Sequence, residues 1–296
     1  MIMISIVICL SLEMFASHLS GYRGYQWADH YAGWIKKIFR GSAAWESPWG
    51  VLSVLLLPLL LMGLLQTGLA ETWLGLFELI LSVLTLLYCL RYQPLGDDVE
   101  SLSRALKQDN NQEAERLEEK ILGKQVAAGQ CRVQQVCNGL LIDVNERVFA
   151  VIVWFALLGP MGALLYRLSW YYSEQSRYAT GDFKAAMHRL YALLNWIPAR
   201  LLVIAYAVVG SFEDAMHGWR DVYKNPPEDM EALNRAILAG AGCNALHLER
   251  YNHPEPDANY NRLDIDAIDA AHSLVLRTIL AWGIVIAIMT LAGWAS

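Results

Sequence analysis

The chain has 296 residues, 55% of them hydrophobic and only 18% charged, with a mean hydropathy of +0.29. Soluble domains carry closer to a quarter charged residues, so this balance favours a membrane protein. A net charge of -6 leaves no basic face for nucleic acid, and the cysteines (Cys9, Cys89, Cys131, Cys137, Cys243), scattered and never in a C-x-x-C pair, argue against a disulfide framework or a zinc knuckle.

Residues 1–17 are apolar apart from Glu13 and lack the basic leader and small-residue cleavage pattern of a secretory signal, which predicts a retained first span. Residues 18–48 mix aromatic and charged side chains, among them Tyr25, Trp27, Trp34, Lys36, Lys37, Arg40 and Trp45. That pattern suits an amphipathic segment at headgroup level, with a soluble loop as the alternative. Two apolar runs follow near 50–69 and 72–89, each close to the ~20 residues that ~30 Å of hydrocarbon requires, and joined tightly enough to form a hairpin. Glu78 falls roughly 9 Å into the second run at 1.5 Å per residue.

Residues 91–147 turn polar. Two short helices broken at Asp109-Asn110-Asn111 are expected, with Asp97 as an N-cap and Leu102, Ala105 and Leu106 on one apolar stripe. Glu115, Arg116, Glu119 and Lys120 then form a solvated charged face. A second pair of spans is predicted near 148–170 and 190–212, and both are interrupted, by Gly159-Pro160-Met161-Gly162 and by Trp196-Ile197-Pro198-Ala199-Arg200. Proline removes a backbone donor, so at bilayer depth the carbonyl it frees must find a partner in protein or trapped water. An arginine beside such a break costs about 2.5–3.5 kcal/mol in lipid and is expected to face a partner or a wet cavity. Residues 213–275 are polar again, with Pro226-Pro227, Pro254 and Pro256 as breakers and a helix over about 231–248; a last span lies near 276–294. The expected fold is therefore all-α: a polytopic membrane bundle of five or six spans in a single membrane domain over 1–296, with 91–147 and 213–275 as polar helical segments on one face, assigned to the cytoplasm by their size.

The candidate ligand-binding residues are Arg167, Arg189, Arg200, Glu146, Asn145 and Trp196. Arg189, Trp196 and Arg200 recur at helical spacing and project from one side. With Arg167 they could converge on a phosphate or carboxylate, whose oxygens match the planar fork of a guanidinium. The competing reading has Arg167 and Arg189 snorkelling at the interface as topology anchors. Gly159, Pro160, Pro198, Glu13 and Glu78 are assigned structural roles. No P-loop, G-x-S-x-G, H-E-x-x-H or G-x-G-x-x-G motif is present, the histidines are isolated, and neither a metal nor any cofactor is specified. Small residues at Gly159, Gly162 and Ala163, and at Gly283 and Ala287, allow close helix approach within one protomer or in a homodimer.

The run NERVFAVIVWFALLGPMGALLYRL, followed by RLYALLNWIPARLLVIAYAVVGSF, resembles the AmpE proteins, inner-membrane components linked to β-lactamase induction. These in turn resemble the CobD/CbiB adenosylcobinamide-phosphate synthases, which join an aminopropanol phosphate to a corrin side chain. The first span with Glu13 and the stretch 237–252 agree more loosely. The synthases carry an acidic pair directly after the Arg-Leu that precedes N-x-I-P-A-R, where this chain has Tyr191-Ala192. They carry an Asn-Thr-Leu-Asp type run where it has Leu168-Ser169-Trp170-Tyr171. An amide-forming, nucleotide-dependent step wants carboxylates to hold Mg²⁺ and offset phosphoryl charge. The resemblance therefore implies a non-catalytic, multi-pass inner-membrane signalling protein of the AmpE type that responds to cell-wall stress and binds an anionic small molecule near its arginines. A nucleotide-dependent synthase or ligase of the CobD/CbiB type is the alternative. Transport comes third, weakened by the lack of an internal repeat between the two hairpins.

Overall fold

The computed structural model describes residues 2–15, 25–38, 48–70, 76–90, 93–108, 110–122, 132–174, 181–247 and 262–291. Among the described residues all regular structure is helical and no strand occurs. In chain order the helices are α1 (Ile2–Phe15), α2 (Gln26–Ile38), α3 (Pro48–Ala70), α4 (Leu76–Cys89), α5 (Gln93–Lys107), α6 (Asn111–Leu122) and α7 (Arg132–Val144). A π-helical turn, Asn145–Phe149, leads into α8 (Ala150–Leu158), then α9 (Pro160–Glu174), α10 (Gly181–Val209), α11 (Phe212–Val222), α12 (Met230–Ala245) and α13 (Arg262–Leu291).

Among the described residues three helical stretches are long and apolar enough to cross a membrane: Trp49–Gly68, Gly181–Val209 and Ile265–Ile288. They correspond to the spans expected near 50–69, 190–212 and 276–294, although α10 and α13 begin well before those limits. The segment near 72–89 gives the 14-residue α4. The segment near 148–170 is divided between α8 and α9, and the one near 1–17 gives α1.

The chain divides into two compact units. The first comprises Met1–Arg91, Ala150–Trp196 and Ala287–Ser296. Here α1 packs on α4, α2 on α3, and α9 against α3, α4 and α8. Its core joins Tyr25, just before α2, and Ala28 and Ala32 of α2 to Val54 of α3, Leu168 and Tyr172 of α9, and Phe183 and Met187 of α10. The second unit comprises Tyr92–Phe149 and Ile197–Ile286. In it α11 and α12 form a helical hairpin, α12 packs on α7, and α5, α6 and α7 pack on one another.

Both interruptions foreseen in the apolar runs have local solutions. Gly159 turns the chain between α8 and α9 with φ +66°, a left-handed conformation that only glycine adopts without strain. Pro160 follows as the first residue of α9, where its missing N–H is not needed. Pro198, by contrast, lies inside a helix that continues through it. It cannot donate to the carbonyl four residues back, that of Leu194, and the Trp154 indole Nε1 donates to that oxygen instead at 2.9 Å. Trp154→Phe removes this donor while keeping an aromatic ring, and thermal unfolding in detergent is expected to show a loss of about 1–3 kcal/mol. In a Pro198→Ala background, whose own N–H can serve Leu194, that loss shrinks.

The polar segments follow the predicted pattern with one correction. α5 ends at Lys107 and α6 begins at Asn111, as the Asp109-Asn110-Asn111 break implied, and Leu102, Ala105 and Leu106 are buried. Asp97, however, lies inside α5 and does not cap it, because the helix already starts at Gln93. Pro94 sits in the first turn, where proline favours initiation. The polar stretch after residue 213 opens with α11, which hydropathy alone did not mark. α11 and α12 approach closely at Gly218 and Gly240: a Cβ on Gly218 would strike the Gly240 carbonyl and lie 2.6 Å from Asn244 Nδ2. Gly218→Ala is expected to force the hairpin apart at a cost of about 1–3 kcal/mol, read as a lowered unfolding midpoint.

Candidate functional site

The second unit contains a connected set of buried and half-buried charged and amide side chains, assembled from four elements. Its base is the π-helical turn. An inserted residue in such a turn re-aims the side chains around it, and π-turns recur at functional sites. Here the consecutive residues Asn145 and Glu146 are both buried, which a regular amphipathic helix seldom arranges.

The second contribution comes from the start of α12. Asp229 caps this helix, its carboxylate accepting the Ala232 N–H at 2.9 Å, so the helix begins at a fixed residue. Glu231, Asn234 and Arg235 then fall at i, i+3 and i+4, on one face. Glu231 and Asn234 are buried, and Glu231 lies in the first turn, where the helix dipole favours negative charge.

Arg235 holds the two carboxylates together. Its Nη2 lies 2.8 Å from Glu146 Oε1 and its Nε 3.4 Å from Glu231 Oε1; the carboxylate side chains are 7% and 3% exposed, while Arg235 itself is 40% exposed. From Glu231 the network runs onward: Asn234 Nδ2 donates to Glu231 Oε2 at 3.4 Å, and Arg200 Nη1 donates to Asn234 Oδ1 at 3.0 Å. Arg200 Nη2 reaches the Tyr223 hydroxyl at 3.2 Å, in the turn between α11 and α12. One continuous chain of contacts thus links Tyr223, Arg200, Asn234, Glu231, Arg235 and Glu146. Two carboxylates can hold positive charge or take a proton, and two guanidinium groups can bind phosphoryl or carboxylate oxygens.

Of the residues singled out from sequence, Glu146, Asn145 and Arg200 lie in this unit, with Glu146 and Arg200 in the network and Asn145 beside Glu146. Arg167 and Arg189 belong to the first unit. Arg167 is fully buried there: its Nε donates to the Tyr25 hydroxyl at 3.0 Å and its guanidinium carbon lies 4.1 Å from the centre of the Trp170 ring. Arg189 is exposed on α10, and Trp196 is also exposed. Asn195 of the N-x-I-P-A-R motif is buried, and its Oδ1 is 3.4 Å from the Tyr166 hydroxyl. Glu78 is half-buried in the first turn of α4; the side chain of Glu13, and both Cys131 and His253, lie outside the described residues.

Sequence reasoning missed Glu231, Asn234, Arg235 and Tyr223. A Glu and an Arg four apart on a helix normally mark a solvated pair, and only the surrounding Ala and Ile residues of α12 hinted that this one is enclosed.

A family model described as CobD/Cbib protein matches residues 6–275. The chain belongs to this family. Among curated proteins, a cobalamin biosynthesis protein CobD of Stutzerimonas stutzeri is 29% identical over 236 residues, covering 76% of this chain and 68% of that protein. A protein of the same name from Chromobacterium violaceum is 30% identical over 183 residues, covering 58% of this chain and 56% of its own length. No solved structure matches.

These matches overturn the expected AmpE-type signalling role in β-lactamase induction: the family model is CobD/Cbib, and both relatives carry the cobalamin-biosynthesis name. The expectation rested on the segments around Gly159–Arg167 and 195–200 and on the absence of carboxylates at 191–192. Tyr191 and Ala192 are indeed buried neutral groups, but acidic side chains distant in sequence approach the Arg200 region through α12.

Proposed function

We propose that this chain is a multi-pass enzyme of the cytoplasmic membrane, with five or six spans, that forms an amide between an aminoalkyl phosphate and a corrin carboxylate at the expense of a nucleotide. The single observation that carries the reading is the family match over 6–275. The enclosed Glu146–Arg235–Glu231 bridge supports it by supplying acidic groups that the missing pair at 191–192 does not.

In this reading Arg200 and Arg235 bind phosphoryl or carboxylate oxygens, Asn234 fixes the direction of the Arg200 guanidinium, and one of the carboxylates accepts the proton lost by the attacking amine. Burial keeps Glu146, Glu231 and Asn234 apart from bulk water and strengthens their charge interactions. A magnesium ion accompanying the nucleotide would draw its protein oxygen donors from Glu146 and Glu231 in exchange for their contacts with Arg235. Among the described residues no group of three acidic, histidine or cysteine side chains could hold a metal alone, so phosphate oxygens would complete its shell. When bound, such an ion supplies charge neutralisation at the phosphoryl group.

The test is reconstitution in nanodiscs with a corrin acid, an aminoalkyl phosphate and ATP, with the amide product followed by mass. Product that requires all three substrates is the expected result. Absence of product with every nucleotide tried, in protein shown to be folded, sinks the proposal.

A further inference from the structure

Helix α2 presents two opposite faces. Ala28, Ala32 and Ile35 are buried, while Trp27, Trp34 and Ile38 are exposed. At 100° per residue the three exposed side chains fall within about 40° of one another, and they form a ridge along the helix. His30 and Lys37, both exposed, flank that ridge on one side, and Lys36 and Lys37 place positive charge in the last turn.

The height of this ridge is fixed by its neighbours in the same unit. The Tyr31 hydroxyl donates to the Ser53 carbonyl at 3.2 Å, which sets α2 against the first turns of the apolar stretch Trp49–Gly68. Trp49 is 68% exposed at the start of that stretch, and Leu56, Leu57, Leu60 and Leu61 are exposed farther along it. Indole rings level with the end of an apolar span, followed by an outward-facing leucine surface, mark the boundary between headgroups and hydrocarbon.

We propose that α2 lies in the bilayer interface, with Trp27, Trp34 and Ile38 inserted among the headgroups and with Lys37, exposed on the flank of the ridge, favouring anionic lipid. The inference rests on the reading that Trp49–Gly68 spans the membrane. The Tyr31–Ser53 bond, which sets α2 beside the start of a helix with outward-facing leucines, together with the exposed Lys37 on the ridge flank, selects lipid over a second copy of the chain. The opposite face of α2 is tied into the unit: Tyr25, just before the helix, accepts a hydrogen bond from buried Arg167, and the Tyr172 hydroxyl donates to the Ala28 carbonyl at 2.8 Å. Seating α2 on the bilayer therefore also braces the segment of α9 that carries Arg167.

The test uses nitroxide labels in nanodiscs containing anionic lipid, with Trp34→Cys, Leu60→Cys and Asn225→Cys each made in a Cys131→Ser background. Collision with oxygen relative to a water-soluble nickel complex should rank the label at 60 highest, that at 225 lowest and that at 34 between them, several-fold above 225. Lys37→Glu should speed amide exchange across 25–38 several-fold. A label at 34 matching that at 225, while 60 remains deep, overturns this inference alone; unchanged exchange after charge reversal also overturns it. A water-like label at 60 overturns the membrane reading and this inference with it. Spin–spin broadening at 34 that disappears on dilution with unlabelled protein assigns the ridge to a second copy instead of lipid.

Discussion

Glu146→Gln and Glu231→Gln are each expected to lower the amide-forming rate by about 10²-fold or more, the range that a positioned acid or base contributes. Glutamine keeps the shape of the side chain and can still accept a hydrogen bond from Arg235, so each variant should unfold within about 1 kcal/mol of the parent. The two measurements must therefore separate: turnover falls steeply and the unfolding midpoint hardly moves. The loss should appear in kcat more than in KM, because proton transfer and charge stabilisation act mainly in the transition state. Wild-type turnover in both variants would remove this cluster from the chemistry and leave it a structural ion pair.

Arg235→Ala is expected to lower stability as well as substrate binding. Both carboxylates that it bridges are nearly inaccessible, at 7% and 3%, and deleting the guanidinium that bridges them removes charge compensation from two like charges held out of water. Removing one partner of a buried pair costs about 3–5 kcal/mol, and the low end applies because Arg235 is itself 40% exposed and its site can hydrate. Adding Glu146→Gln to Arg235→Ala should restore much of the loss, since the remaining carboxylate then has no like charge beside it. Denaturant unfolding in detergent of the two single variants and the double variant completes the cycle. Additive effects would mean that Arg235 and Glu146 are not coupled, contrary to their 2.8 Å separation.

Much of the local architecture was legible because it depends on short-range rules. The apolar run near 50–69 could only be a long helix, the polar break at 109–111 could only separate two short ones, and a proline at 198 within an apolar run demanded a substitute donor. Composition and periodicity carry that information without any knowledge of the partners. The identity of the substitute did not follow from such rules. Trp154 lies 40 residues from the Leu194 carbonyl it serves, and any indole, hydroxyl or water in reach would have satisfied the same requirement.

The candidate site shows the same division more sharply. Glu146 and Arg200 drew attention from sequence because each is an ionisable group beside an apolar run, where charge is expensive. Their link passes through Asn234, Glu231 and Arg235, which sit in a segment that reads as an ordinary polar helix. Arg167 and Arg189 attracted the same notice for the same reason, yet Arg167 is enclosed by Tyr25 and Trp170 and Arg189 faces outward.

By itself the sequence determined a helical chain with runs long and apolar enough to cross a membrane, its breaks, and its cost of burying charge, since these follow from hydropathy, period and the backbone chemistry of proline and glycine. Only the tertiary structure decided which charges meet. Ion pairing inside a protein depends on distances between residues remote in the chain, and no spacing rule along one helix encodes the approach of another.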